Sequence, residues 1–431
     1  MNASERTKDF RVAVVGGGVC GLACAIALAR DGVPVEIFES ASKFGEIGAG
    51  LGLGPNSIRV LRDLQVLDDV IAKSIGGGPN MVCYRWISGT HDQEVLYNYP
   101  LSPEDYGMGI ARSAFLDALV NHFDMSKVHF KKRCVSVEPS SQDPARYIVS
   151  FADGTTHEAD VVIGADGIRS TVRGAVTGRP SDDNLAFSNT VGYRTLSPFE
   201  DVNRIGLKGE LAPGLNCFVG KNKHIIAYLI QGNSTVNIIG FVTNMNGEVP
   251  AGNGKLSSEE KWVQLGIPKE ELLNRFEGWS HDATTLLSCG RNINKWSIHV
   301  VHPHLETYVR GGIALIGDAA HAMRTHLGAG AGQGLEDGFI LARLLSHPSA
   351  RRSNIQSILQ VYDEIRRPRS QYIADKTSAT GDIYDGRGPS GMSAEGIQKD
   401  LENRFDDVWH HDLHADLNRA IEELQTRGVF Q

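Results

Sequence analysis

The 431-residue sequence has only six cysteines, at positions 20, 24, 83, 134, 217 and 289. Cys20 and Cys24 stand one helical turn apart, but no second close pair accompanies them. That spacing argues against a structural metal and for free, buried thiols. His410, His411 and His414 have no cysteine or further spaced ligand beside them and read as a solvated helix face, so no metal is expected. Long apolar runs are also missing. The longest, Leu22 to Ala29, is far short of the roughly 18–20 residues that cross a bilayer, so no membrane anchor is expected. Positive charge is in deficit: 43 Lys and Arg against 51 Asp and Glu give a net charge of −8. A nucleic-acid partner is therefore not expected, because such binding rests on neutralising phosphates. The first residues, MNASERTKDF, lack an apolar signal core, and the last, GVFQ, match no targeting tag, so a cytoplasmic protein is the expectation. No G-x-x-x-x-G-K-[ST] stretch occurs, which removes the P-loop nucleotidases.

What the sequence has in excess is glycine. There are 48, about 11 % against an average near 7 %. They cluster between apolar runs, which predicts backbone placed closely against a ligand rather than flexible linker. Apolar residues at 41 % and charged residues at 22 % describe an ordinary globular chain, and the length predicts two or three domains.

Arg11 to Val15 reads as a buried parallel strand. It runs into Gly16-Gly17-Gly18-Val19-Cys20-Gly21, then an alanine-rich helix, then a second strand over Val33 to Glu39. This is the order of a dinucleotide-binding βαβ unit. Gly16 and Gly18 allow the turn and the approach of a pyrophosphate, and Gly21 allows the helix to pack on the strand. Glu39 lies where an acid binds a ribose hydroxyl, and an acid there favours FAD or NAD over NADP. No second stretch repeats the fingerprint, so one dinucleotide site is expected.

Two further strands end in aspartate. ADVVIGA (159–165) runs into Asp166, and GIALI (312–316) runs into Gly317-Asp318, followed by Gly328-Ala329-Gly330-Ala331-Gly332-Gln333-Gly334 and an apolar helix. Carboxyl ends of strands in an open α/β sheet are where ligands bind. Either motif alone is equally readable as a structural strand-to-helix turn.

As a set, these motifs resemble the single-component FAD-dependent aromatic monooxygenases, with the salicylate hydroxylase-like branch nearest. The carriers are GGGVCG with Glu39, EIGAGLGLGPN (46–56), Arg112 in GIARSAFLDAL, VIGADGIRSTVR (162–173), GDAAHAM (317–323), GAGAGQGLED (328–337) and RRPRSQ (366–371). The resemblance implies an α/β fold: a Rossmann-like FAD-binding domain over 1–185 to which 299–380 return, an inserted antiparallel substrate sheet over 186–298, and a C-terminal helical segment over 381–431. It implies non-covalent FAD, NADH or NADPH as a transient reductant, and O2 as co-substrate. A flavin C4a-hydroperoxide would deliver one oxygen atom to a phenolic substrate such as salicylate, hydroxybenzoate or a substituted phenol. Glu39 would hold the adenosine ribose, Arg112 the pyrophosphate region, and Asp318 the ribityl or pyrophosphate part. Asp166 would serve FAD and the incoming nicotinamide nucleotide, while Gly48, Ala49, Gly330 and Ala331 would flank the isoalloxazine. Arg112 is equally readable as a helix-surface ion pair. Arg366, Arg367 and Arg369 read as structural, at a helix end broken by Pro368.

The middle of the chain alternates in strand-like runs at Thr190 to Leu196, Ile225 to Ile230 and Val236 to Val242. His224, Ile226 and Tyr228 fall on one face. By resemblance, Arg194 positions a substrate phenolate or carboxylate, Tyr228 hydrogen-bonds it, and His326 is the base. The plainer readings are a salt bridge for Arg194, a packed aromatic for Tyr228 and a structural role for His326. His321 is expected beside Asp318. Arg324, Thr325 and Leu327 depart from the family pattern next to the flavin's reactive edge, which leaves open a more apolar or bulkier phenol and epoxidation with ring rearrangement; a non-oxygenating flavin oxidoreductase is the competing class. The final segment reads as a flexible connection and surface helices, in a monomer or a homodimer.

Overall fold

A computed structural model describes residues 8–45, 50–74, 83–92, 94–209, 211–212, 214–230, 234–244 and 262–431. The four buried residues Val12–Val15 sit centrally in a six-stranded sheet. Its order is Val309–Arg310, Ile313–Leu315, Val161–Gly164, Val12–Val15, Val35–Phe38, Val128–His129. All neighbours are parallel except the Val309–Arg310 edge. Strands buried on both faces need continuous apolar sequence, which is why VAVV and VVIG carry no alternation.

Helix Val19–Arg30 follows the first strand, and helix Gly330–Ser346 packs against it. Glycine permits this. A Cβ on Gly334 would collide with the Cys20 sulfur, and one on Gly338 would stand 3.1 Å from the Cys24 Cβ. These glycines serve helix packing, so part of the surplus read as ligand-facing is internal to the fold.

The second large sheet has eight strands, in the order Val263–Gln264, Arg291–Val301, Leu185–Pro198, Thr235–Thr243, Lys223–Ile230, Leu215–Gly220, Tyr84–Ser88, Val95–Asn98. It is antiparallel except where Leu215–Gly220 pairs with Tyr84–Ser88. The last two strands precede the stretch expected to form this sheet. Their pairing is distant in sequence (Cys217 opposite Trp86) and leaves no local signature. Alternation sorts the middle strands. Ile225 and Ala227 face one core, with Leu272 and Leu286. Ile226, Tyr228 and Ile230 face another, with Leu327, Tyr384 and Trp409.

A two-stranded ribbon, Gly50–Leu53 with Met108–Ala111, lies against this second face. The long helix Ile355–Tyr384 continues through Pro368 rather than ending there. Proline removes one backbone hydrogen bond. On either side of it Arg366 and Arg369 are tied to buried carboxylates, which holds the helix in place: Arg366 binds Asp337 at 2.9 Å and Glu336 at 3.0 Å, and Arg369 binds Glu336 at 2.9 Å.

The C-terminal helices bury one face each. Ile397, Leu401, Phe405, Val408 and Trp409 are buried, and Phe405 stacks on Trp409 at 4.6 Å between centroids. His410, His411 and His414 each pair with a separate carboxylate, of Asp105, Asp416 and Asp63. Among the described residues no helix is long and apolar enough to cross a membrane, and no cluster could hold a metal ion.

Candidate active site

The first strand delivers the chain to Gly16, whose φ of +105° is closed to ordinary residues. A Cβ there would collide with the Ala165 carbonyl, and one on Gly21 with the Gly16 carbonyl. A Cβ on Gly18 would have one neighbour, the Arg112 Nη2 at 3.5 Å. Gly18 begins the helix without a side-chain cap, so its first N–H groups face outward.

In front of this turn is a cavity of about 370 Å³ lined by Gly16, Gly18, Glu39, Arg112, Asp166 and Asp318, among others. Glu39 ends the second strand and accepts the Gly17 and Ala41 N–H groups, each at 2.7 Å. Asp166 Oδ2 accepts the Thr171 and Val172 N–H groups at 2.7 and 3.2 Å. Its Oδ1 is buried with no partner, and burial pushes the Asp166 carboxyl above its ordinary range. Asp318 opens a short helix with its side chain exposed toward the cavity.

These residues fit FAD. The bare backbone and a guanidinium suit a pyrophosphate, and the orphaned Asp166 oxygen is an acceptor waiting for a hydroxyl or amide donor. Arg112, the first residue of helix Arg112–Val120, lines the cavity. Gly330 is open, with Met323 Cγ at 4.0 Å as the nearest neighbour to a Cβ, and Ala331 follows it into the helix. Gly48 and Ala49 lie outside the described residues.

The second cluster is on the large sheet. Arg194 and Tyr228 come together: the Tyr228 hydroxyl and Arg194 Nη2 lie 3.3 and 3.5 Å from where a Cβ on Gly50 would stand. Arg194 donates to Asn237 Oδ1 through Nε at 3.1 Å and Nη2 at 2.9 Å, and to the Gly50 carbonyl at 3.3 Å. Among the described residues it forms no salt bridge. Burial lowers its pKa. Burial raises that of Tyr228, and Arg194 pulls it back down.

His326 is not with them. Its ring is buried 5.0 Å from His224, 5.7 Å from Phe241 and 5.8 Å from Tyr384, and is turned toward Gly381. Both ring nitrogens lack partners. Burial, then His224, pushes its pKa well below the ordinary histidine value. A base must come within hydrogen-bond reach of the proton it takes, and the described contacts put His326 in an aromatic cage instead. The structure thus brings His326, the expected base, into no described contact with Arg194 or Tyr228. His321 pairs with Asp337 at 2.6 Å, not with Asp318.

The departing stretch is fastened to the long helix. Thr377 Oγ1 accepts the Leu327 N–H at 3.0 Å and donates to the Arg324 carbonyl at 3.2 Å. Arg324 itself donates to the Ser188 carbonyl at 3.1 Å. Asn237 and Thr377 belong to no motif. The one signal for Asn237 is an amide at an inward position of the alternating strand TVNIIGFVT.

An FAD binding domain model matches residues 9–201 and 257–377. A salicylate hydroxylase of Pseudomonas putida is 35 % identical over 97 % of this chain and 95 % of its own length. The FAD-dependent monooxygenase pigN of Monascus ruber is 31 % identical over 98 % of this chain and 99 % of its own. Among solved structures, a salicylate hydroxylase substrate complex matches with a TM-score of 0.84 at 28 % identity, covering 96 % of this chain and 98 % of that one.

Proposed function

Because the chain belongs to the FAD-dependent aromatic monooxygenases, on the salicylate hydroxylase branch, we propose that it uses NADH or NADPH and O2 to insert one oxygen atom into a small phenolic ring carrying negative charge. The observation that carries the substrate class is the convergence of Arg194 and Tyr228 at Gly50. A guanidinium and a phenol hydroxyl meet there on a sheet face otherwise built from Ile226, Ile230 and Ile239.

When bound, FAD supplies acceptance of a hydride and activation of O2 for transfer to the ring. Glu39, Arg112, Asp166 and Asp318 would hold its polar length, with Gly16, Gly18 and Gly21 giving the backbone approach. Gly330 and Ala331 would flank the ring. The remaining tasks fall to the sheet. The apolar residues around Tyr228 exclude water from the reacting carbon. Arg194 binds a carboxylate or phenolate oxygen, and its positive charge favours the ionised phenol, which is the electron-rich form an electrophilic oxygen attacks. Tyr228 donates to the same oxygen and fixes the ring's orientation. With His326 caged, the phenol proton leaves to solvent, and the Arg–Tyr pair lowers the phenol pKa by holding the ionised oxygen.

A panel of phenols and hydroxybenzoates tests the reading through the rate of NADH and NADPH oxidation by the FAD-loaded protein. Stimulation by at least one hydroxybenzoate is expected. An oxidation rate indifferent to every member contradicts it.

A further inference from the structure

Residues directly opposite each other on antiparallel neighbours share a face. Leu196, Asn237 and Tyr228 form one such row across three strands, and Arg194, Ile239 and Ile226 form an adjacent row. Asn237 thus stands between the two polar residues of the site, and it is fully buried. Arginine has five N–H donors and no acceptor, so the fork onto Asn237 fixes the amide with its oxygen toward Arg194. The amide Nδ2 is left buried with no partner.

The partners of Arg194 are the notable part. Its described acceptors, the Asn237 amide and the Gly50 carbonyl, are neutral, and no carboxylate is paired with it among the described residues. Arg366, by contrast, has both Glu336 and Asp337, while the equally buried Arg173 is held by the backbone carbonyls of Ile168, Ser181 and Ala319. Arg194, unlike Arg173 and Arg366, is only half-buried, so an anionic ligand can reach the guanidinium and offset the cost of its partial desolvation.

We propose that Asn237 is a positioning residue that holds the Arg194 guanidinium by a neutral acceptor, so that its charge stays available to an anionic substrate, and that the unpaired Nδ2 offers that substrate a further donor. The inference rests on Arg194 being the anion contact. Its content is separate: the residue at 237 must accept without being charged. A carboxylate there would have nearly the same shape, would satisfy the fork and would neutralise it.

The test is calorimetric titration of the FAD-loaded protein with two probes of similar size near neutral pH, anionic salicylate and neutral salicylamide. Asn237→Asp is expected to bind salicylate about tenfold or more weakly and salicylamide within about threefold of wild type, with FAD content unchanged. Equal salicylate affinity in wild type and N237D overturns the inference. Arg194→Gln in the same titration checks the reading beneath it. Salicylate affinity unchanged by R194Q, or no wild-type preference for salicylate, overturns the assignment of Arg194 itself. If N237D fails to retain FAD, Asn237→Ala carries the test. It removes the acceptor without adding charge and is expected to weaken salicylate by about threefold to tenfold, and an unchanged affinity overturns the inference.

Discussion

The imidazole of His326 fills the space that a side chain at Gly381 would need: a Cβ there would stand 2.6 Å from the ring's Cε1 and Nδ1. This contact fastens the loop before the Gly330–Ser346 helix to the long C-terminal helix, from inside an aromatic cage formed with His224, Phe241 and Tyr384.

Gly381→Ala is therefore an overpacking substitution. It is expected to cost about 1–3 kcal/mol of stability, read as a lower thermal midpoint, while NAD(P)H oxidation per bound FAD stays near wild type. If His326 instead acted as the base, displacing it would depress turnover per bound FAD in addition to lowering the midpoint.

Gly334 makes a second packing prediction. A Cβ there would collide with the Cys20 sulfur, so Gly334→Ala is expected to destabilise by about 1–3 kcal/mol or more. Adding Cys20→Ala removes that sulfur and is expected to recover part of the loss. A double-mutant cycle on denaturation midpoints measures the coupling. Strict additivity would show that the glycine is not there for the sulfur.

Acid should weaken the fold through a few buried carboxylates. Burial pushes Asp385 up, but the His224 ring and then the Thr243 hydroxyl outweigh it and hold the group at about 2. Asp337 and Glu336 are lowered as well, the first by His321 and Arg366, the second by Arg366 and Arg369, again against burial. A carboxyl lowered in the folded state contributes stability that is present above its unfolded pKa and is lost as pH falls through the folded one. Urea midpoints are therefore expected to hold through neutral pH and to fall from about pH 4 toward pH 2. In Asp385→Asn the fall should be shallower and the neutral-pH midpoint lower.

The cofactor half of the molecule was legible because its signals are local. Gly16 to Gly21, Glu39 and the strand-end Asp166 and Asp318 are each set within a short βα unit, where spacing dictates geometry. Arg194 and Tyr228 could be named by resemblance, with alternation giving the face of Tyr228, but Asn237 between them depends on cross-strand register. His326 is the converse case. A motif position gave it a role, and packing by Gly381 and Tyr384, more than fifty residues on, turned its ring away. The C-terminal aromatics were unreadable for the same reason: Phe405 and Trp409 sit in a polar-looking stretch and are buried only because Tyr84, Trp86 and Tyr99 stand opposite.

The most direct test of the account is the mass of the product formed from the best stimulating hydroxybenzoate under labelled O2. The prediction is one labelled oxygen atom on the ring, with incorporation lost in Arg194→Gln at full FAD content. Stimulated NAD(P)H oxidation that ends wholly as hydrogen peroxide, with an unlabelled and unchanged aromatic compound, would contradict it.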